Sequence, residues 1–189
     1  MTKTKLRTFI AIVLSDEIRN KLRQVTESLK EIDADVKYVK PENVHLTLKF
    51  LGYVNESRLE DIKVALETTL SGIRPFEVSF SGIGAFPNVS VPRVVWLGIS
   101  RGGEELHGVR DRLEESLSRI GIEKEGREYH SHLTVGRVKS GRGRNKLVSW
   151  LKSNVELEIG WMKVSEIVLM ESILKKEGPE YFPLKVVNL

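Results

Sequence analysis

Cysteine is absent from the chain, which excludes disulfide bonds and thiolate metal sites. Long apolar runs are absent too. Residues 9–14 form the longest one near the start, far short of the roughly 20 residues that a membrane helix needs. No small-residue cleavage site of a signal peptide follows this run. These features predict a cytoplasmic protein that does not associate with a membrane.

The composition also excludes a disordered or fibrous class. Hydrophobic residues make up 40% and charged residues 30% of the 189 residues, which is typical of a globular protein. A chain of this length suits one domain, or two small lobes that share an interface. The net charge of +4 permits an anionic partner without specifying one.

Histidine is scarce, yet two of the four histidines stand in nearly the same tetrad. Residues 45–48 read HLTL and residues 132–135 read HLTV, 87 positions later. The chain has eight threonines, so composition alone gives two such H-x-T matches a chance of roughly one in a hundred. This recurrence predicts an internal duplication.

The segments around the tetrads match as well. A strand-like apolar run and an amphipathic helix precede each tetrad, and a second amphipathic helix follows it. The chain is therefore predicted to be a single domain over residues 1–189. It is made of two pseudo-repeats, about residues 5–72 and 91–155, plus further strands. Because strands and helices mix throughout, the predicted class is α+β with the helices outside.

Each tetrad is predicted to lie in a strand, where successive side chains point to opposite faces. His45 and Thr47 then share one face, and so do His132 and Thr134. An approximate two-fold relation between the repeats would bring both faces to one groove. The simpler alternative is that these residues have a structural role only and form the polar faces of two strands.

Two imidazoles and two hydroxyls around one centre favour phosphoryl chemistry. The unperturbed histidine pKa of about 6.5 lets one copy act as a base and the other as an acid at the same pH. Threonine hydroxyls can donate hydrogen bonds to the non-bridging phosphate oxygens. The residues alone do not assign which histidine is the acid.

The tetrads resemble the motifs of the 2H phosphoesterases, a superfamily named for two H-x-T-hydrophobic motifs. The sequence is most similar to the RNA 2′,3′-cyclic phosphodiesterases, formerly called 2′-5′ RNA ligases. Beyond the tetrads, the resemblance rests on HLTLKFLG at 45–52, GIGAFPNVSVPRVVWLGI at 82–99 and ESILKKEGPEYFPL at 171–184. It covers nearly the whole chain.

This resemblance implies a bilobal, duplicated α/β fold in which two antiparallel sheets face a central groove. It implies hydrolysis of RNA or oligonucleotide 2′,3′-cyclic phosphate ends to 2′-phosphomonoesters, without metal or cofactor and without an obligate protein partner. Reversible 2′-5′ RNA ligation is a further implied activity. An RNA-end binding module without turnover, or a phosphodiesterase of small cyclic nucleotides, are the alternative functions.

The resemblance also assigns roles to residues. By motif, His45 looks like the proton donor to the 3′ oxygen and His132 like the proton acceptor that activates water. Thr47 and Thr134 look like phosphate-binding residues. Arg137 stands where the family often has arginine, and is predicted to contact the substrate.

Strict alternation places three residues that follow the tetrads. It puts Arg137 opposite His132, unless Gly136 marks a β-bulge. By the same rule Lys49 shares the histidine face, while Phe50 enters the core, although the resemblance leaves base stacking open for Phe50.

Two weaker signals lie near the second tetrad. His130 and His132 form H-x-H, which raises zinc binding as an alternative, and Ser131 replaces the proline that is common in the family. Residues 139–146, KSGRGRNK, are predicted to be a mobile basic loop near RNA phosphates, with a solvated turn before a helix as the alternative.

Overall fold

A computed structural model describes residues 5–126, 128–176 and 178–189. Within these ranges the chain forms nine strands: β1 Lys5–Val13, β2 Val36–Tyr38, β3 His45–Asn55, β4 Phe76–Phe86, β5 Val94–Arg101, β6 His132–Val138, β7 Glu158–Val164, β8 Glu166–Lys175 and β9 Gly178–Asn188. The α helices in the same ranges are α1 Asp16–Lys30, α2 Leu59–Leu70, α3 Gly103–Arg119 and α4 Arg144–Ser153. No helix within the described ranges has the length and apolarity to cross a membrane.

The strands form two sheets in which every neighbouring pair is antiparallel. The first sheet has the order β3-β1-β8-β9 and the second has the order β2-β6-β5-β4-β7. Helix α1 packs against β7, α2 against β9, and α3 against both α2 and β3. The predicted α+β class, with two antiparallel sheets and helices packed on them, is confirmed.

The chain passes between the two sheets several times. Residues 5–72 and 91–155 both contain the order strand, helix, strand, helix, with β2 as an extra element in the first segment. Strand β2 pairs with β6 in the second sheet, and the late strand β8 pairs with β1 in the first. The duplication itself stays a prediction, and each sheet is built from both halves of the sequence.

Helix α1 shows how the apolar stripes locate the helices. The Ser15 hydroxyl accepts a hydrogen bond from the Ile18 N–H at 3.4 Å and so caps the first turn. The predicted stripe is then buried against the second sheet: Ile18, Leu22, Val25 and Leu29. Each buried leucine or isoleucine stabilises the fold by about 1.5–3 kcal/mol.

A β-bulge interrupts the first tetrad. Ile10 pairs with Lys49 and Ala11 pairs with Thr47, so Leu48 has no partner across the strand pair. A bulge of this kind shifts the alternation of side chains by one residue. Lys49 and Phe50, which follow the tetrad, therefore point the opposite way from the prediction.

The second tetrad carries a bulge at the same place. Val95 pairs with Gly136 and Trp96 pairs with Thr134, so Val135 has no partner. In both tetrads the extra residue is thus the fourth one. The suggested bulge at Gly136 lies at this point of the chain.

Two predictions based on strict alternation are wrong because of the first bulge. Lys49, expected on the histidine face, has no exposed side-chain surface, and its Nζ lies 2.7 Å from Glu114 Oε2. Phe50, expected in the core, is 53% exposed and lines the groove between the sheets. This placement leaves the Phe50 ring available to a ligand.

Candidate active site

A groove of about 1140 Å³ runs between the two sheets and is lined by residues of both. We call it the central groove. It brings together the five residues that the sequence nominated: His45, Thr47, His132, Thr134 and Arg137. The first two are on β3 of the first sheet and the other three on β6 of the second. The fold therefore makes one site from two distant motifs.

His45 is oriented by the turn that precedes β3. Its Nδ1 lies 2.9 Å from the Asn43 carbonyl oxygen, and the Asn43 side-chain amide donates to the Pro179 carbonyl at 2.8 Å. A carbonyl only accepts hydrogen bonds, so the His45 Nδ1 carries the hydrogen. The Nε2 atom is then the nitrogen that can exchange a proton in the groove.

His132 is held in the same way. Its Nδ1 lies 2.6 Å from the His130 carbonyl oxygen, which again belongs to the residue two positions earlier. This arrangement forms with Ser131 in the place where the family often has proline. The Phe86 and His132 rings pack in a T-shaped arrangement, at a centroid distance of 5.1 Å.

Burial lowers the pKa of both imidazoles. For His45 the hydrogen bond to the Asn43 carbonyl acts in the opposite direction. For His132 the bond to the His130 carbonyl also opposes burial, while the charges of His130 and Arg137 lower its pKa further. Both rings are therefore biased towards the neutral form in the free protein, and His132 has additional cations nearby.

The residues beyond each bulge reach the central groove at matching positions. Phe50 and Arg137 each stand five residues after the tetrad histidine, and both line the groove. Arg137 is exposed there, on the face that the bulge at Val135 gives it. The groove thus has an aromatic ring after one motif and a guanidinium after the other.

The central groove carries an excess of positive charge. Five of its cations form no salt bridge within the described part of the chain: Arg7, Lys37, Lys40, Arg137 and Lys139. Lys175, by contrast, pairs with Glu180 at 2.6 Å. Such a lining favours an anionic ligand.

The basic segment 139–146 is held against the loop before β2. The Lys139 N–H donates to the Asp35 carbonyl at 2.8 Å, and Arg142 pairs with Asp33 at 3.1 Å. Helix α4 begins at Arg144, so residues 144–146 are helical and the loop predicted over 139–146 ends earlier, as in the alternative of a turn before a helix. Lys139 is the member of this segment that lines the groove.

The H-x-H pair has no third ligand in the described ranges. Among those residues, no three histidine, aspartate or glutamate side chains cluster as a metal site would require. The His130 side chain is 60% exposed and its Nε2 lies 3.8 Å from Glu128 Oε2.

Comparison with protein families decides the class of the chain. The model of the LigT-like phosphoesterases matches it twice, over residues 12–96 and 97–181. The chain belongs to the LigT-like phosphoesterase family. The predicted membership of the 2H phosphoesterases is thus confirmed, and with it the assignment to phosphoesterase enzymes.

Two archaeal relatives of this LigT-like phosphoesterase are named RNA 2′,3′-cyclic phosphodiesterase. The protein of Methanothermobacter thermautotrophicus is 41% identical over 98% of the chain and 100% of the relative. The protein of Archaeoglobus fulgidus is 38% identical, with coverages of 96% and 99%.

Solved structures of the family agree in fold. TT0787 of Thermus thermophilus has a TM-score of 0.83 and 26% identity, covering 97% of this chain and 98% of that one. E. coli LigT complexed with 3′-AMP has a TM-score of 0.77 and 25% identity, with coverages of 98% and 99%.

Sequence reasoning missed part of the groove of this LigT-like phosphoesterase. Arg7 and Tyr181 both line it, and the Tyr181 ring stands edge-on to His45 at a centroid distance of 5.0 Å. Tyr181 lies in the signature ESILKKEGPEYFPL, which was the available signal. Arg7 opens the first strand-like run, residues 7–15, where nothing local distinguishes it from a strand-end arginine.

Proposed function

We propose that the chain hydrolyses the 2′,3′-cyclic phosphate at the end of RNA or of an oligonucleotide to a 2′-phosphomonoester. The observation that carries the proposal is the pair of histidines on opposite sheets: each donates from Nδ1 to the backbone carbonyl two residues earlier, which leaves Nε2 for proton transfer. Unpaired cations in the same groove suit a phosphate. The names of the relatives agree with this substrate.

In the proposed reaction His132 is the proton acceptor and His45 the proton donor. The His132 Nε2 takes a proton from water as the water oxygen forms a bond to phosphorus. The bond between phosphorus and the 3′ oxygen breaks, and His45, present as the imidazolium with hydrogens on both Nδ1 and Nε2, protonates that oxygen from Nε2. The bond to the 2′ oxygen stays, and both imidazoles regain their starting forms by exchange with solvent.

The charges near His132 are compatible with its role as the proton acceptor. The charges of His130 and Arg137 lower the pKa of His132 beyond the effect of burial, which favours the neutral ring that a base needs. No such cation acts on His45 among the causes of its shift. Family resemblance points to the same assignment.

The remaining site residues would bind the phosphate. Thr47 and Thr134 share the groove faces of their histidines, so their hydroxyls are placed to donate to the non-bridging oxygens. Arg137 supplies a planar guanidinium that can bind two of these oxygens at once. Charge gathers on these oxygens in the transition state, which makes the donors useful to the chemical step.

The same groove would also permit 2′-5′ ligation as a minor reaction. A 5′ hydroxyl that takes the place of water would give a 2′-5′ bond with the same two proton transfers. Water is far more abundant, so hydrolysis dominates in this proposal.

The cysteine-free composition supports a cytoplasmic location, where RNA fragments would be the substrate.

The test uses an RNA oligonucleotide with a 2′,3′-cyclic phosphate end and excess EDTA. Wild type is compared with His45→Ala, His132→Ala and, as a matched control, His107→Ala, whose exposed ring lies on α3 and not among the groove residues. We expect a 2′-phosphate product and losses of the order of 10²- to 10⁴-fold in the two groove variants only.

Other outcomes of this test support other functions. Turnover that EDTA abolishes and zinc restores would contradict metal-free catalysis. Tight binding of the cyclic end without turnover by folded wild type would support the RNA-end binding module. Turnover of nucleoside 2′,3′-cyclic monophosphates but not of RNA would identify small cyclic nucleotides as the substrate class.

A further inference from the structure

A row of polar side chains crosses the first sheet beside the histidine site. Arg7 is on β1, Ser172 on β8 and Tyr181 on β9, and all three line the central groove. Ser172 and Tyr181 are partners in the strand register. The Arg7 guanidinium donates from Nη1 to the Ser172 hydroxyl oxygen at 3.0 Å. These three residues are outside the set proposed above for the chemical step.

Tyr181 connects this row to the first tetrad. Its ring stands edge-on to His45 with the ring planes at 89°. Burial raises the pKa of Tyr181, so the phenol stays protonated and can donate a hydrogen bond. The charges of Arg7 and Arg137 lower this pKa, so guanidiniums from both sheets act electrostatically on the phenol.

The Arg7 charge has no acidic partner in the described part of the chain. On the neighbouring strand β8, Glu171 is the register partner of Thr8 and forms no salt bridge with Arg7, and Glu180 on β9 is paired with Lys175. Arg7 is half-buried, and one of its five N–H groups is used by Ser172. A partly desolvated guanidinium with free donors is suited to an anion.

The donors of the row are complementary to a phosphate. Arg7 keeps further N–H groups, the Ser172 hydroxyl accepts from Arg7 and retains its own hydrogen, and the Tyr181 phenol is protonated. The His and Thr pairs are occupied by the cyclic phosphate in the proposed function. A second anion held by this row must therefore be a neighbouring group of the substrate.

We propose that Arg7, Ser172 and Tyr181 form a second anion subsite, which binds the phosphodiester on the 5′ side of the terminal nucleotide. This inference rests on the proposed function and narrows its substrate class to chains of at least two nucleotides. Nucleoside 2′,3′-cyclic monophosphates lack this phosphodiester. The subsite thereby favours RNA ends over free cyclic nucleotides.

The test compares three substrates with a 2′,3′-cyclic phosphate end. They are a nucleoside 2′,3′-cyclic monophosphate, a dinucleotide with a normal internal phosphodiester, and the same dinucleotide with a neutral methylphosphonate linkage. The variants are Arg7→Gln and Ser172→Ala. Lys5→Gln is the matched control, since Lys5 is an exposed cation on the same strand that does not line the groove.

We expect Arg7→Gln to lower kcat/KM for the normal dinucleotide about tenfold more than for the mononucleotide, mainly through KM, because a hydrogen bond to a charged group is lost. Ser172→Ala has a smaller effect of the same sign. In wild type the methylphosphonate costs a similar factor. Arg7→Gln adds no further loss on the methylphosphonate, because the two changes remove the same interaction.

Equal losses on all three substrates in Arg7→Gln would overturn the subsite, since Arg7 would then act at the cyclic phosphate or on the fold. Thermal unfolding of each variant identifies the second case. If wild type turns over none of the substrates, the proposed function fails. The subsite is then decided by affinity: equal Kd of wild type for the normal and the methylphosphonate dinucleotide overturns it as well.

Discussion

At the scale of single residues, a backbone carbonyl sets the tautomer of each groove histidine. The Asn43 and His130 carbonyls accept from the two Nδ1–H groups, and side-chain substitution at those positions does not remove them. Each imidazole therefore presents Nε2 to the groove without help from a carboxylate. The chemistry then depends on the pKa of each ring.

The pH dependence of hydrolysis follows from these pKa shifts. In kcat/KM, which reports the free enzyme, activity rises as His132 loses a proton and falls as His45 loses one. Burial lowers both pKa values from 6.5, so we expect both limbs and the optimum below pH 6.5. In kcat the alkaline limb moves to higher pH, because the bound phosphodiester anion stabilises protonated His45.

The measurement is a pair of pH profiles on a cyclic-phosphate oligonucleotide, with viscosity controls to verify that chemistry limits the rate. Coincident alkaline limbs in kcat and kcat/KM would contradict the role of the bound anion. A flat profile between pH 5 and 9 would contradict paired histidine catalysis altogether.

The site could be predicted from residues only where the signal was local. The two H-x-T tetrads nominated His45 and His132 because their recurrence is visible in the sequence alone. Arg7 and Tyr181 lack such a signal from residue type and spacing, since Tyr181 meets His45, and Arg7 meets Ser172, only through pairing of distant strands. No short stretch of the sequence indicates non-local pairing of this kind.

At the scale of elements, the bulge at Leu48 directs the Lys49 side chain into the interior. Lys49 Nζ lies 2.7 Å from Glu114 Oε2 and donates to the Glu123 carbonyl at 2.9 Å. This buried pair joins β3 to α3 and to the segment that leads towards the second motif. Arg110 lies 3.3 Å from the other Glu114 oxygen.

Removing one member of this pair should be costly. We expect Lys49→Met to lower the free energy of unfolding by about 3 kcal/mol, the lower end of the range for breaking a buried ion pair, because Arg110 still neutralises part of Glu114. Denaturant unfolding measures it. Lys63→Met is the matched control, since its pair with the exposed Glu60 is worth less than about 1 kcal/mol.

The double variant Lys49→Met/Glu114→Gln separates charge from packing. It should recover part of the loss, because no unpaired buried carboxylate remains. Equal destabilisation by Lys49→Met and Lys63→Met would show that the buried ion pair contributes no more to stability than the exposed one.

The elements themselves follow from periodicity, whereas the bulges do not. The apolar stripe of α1 and the alternation within each tetrad located the helix and the strand. Leu48 looks like any buried strand residue, so nothing marks it as the extra one. In the second motif Gly136 gave a hint, because glycine in a strand often accompanies a bulge.

At the scale of the whole molecule, the modest net charge of +4 hides a concentration of cations in the groove. We expect log kcat/KM for a cyclic-phosphate RNA to fall linearly with log salt concentration. The slope should be no steeper than about −3.5, the value for five neutralised phosphates on a single strand. A cyclic mononucleotide should show a much weaker dependence.

Steady-state assays between low and physiological salt test this expectation. Each substrate is measured with a large neutral osmolyte as a control for viscosity and excluded volume. Equal slopes for RNA and mononucleotide would mean that the groove cations do not follow the RNA backbone.

The class of the whole molecule could be predicted, but the exchange of strands between its sheets could not. Mixed strands and helices indicated α+β, which the structure confirms. Strand β2 has only three residues, too few for a periodic signal, and its partner β6 lies about a hundred residues further on. Topology of this kind depends on packing of the complete chain.

Because of that exchange, neither half of the sequence contains a complete lobe. The first sheet needs β8 and β9 from the end of the chain, and the second needs β2 and β4 from its beginning. Unfolding either half of the sequence would therefore remove strands from both sheets. We therefore expect the two lobes to unfold in a single cooperative transition, so that the two histidines separate only when both sheets unfold.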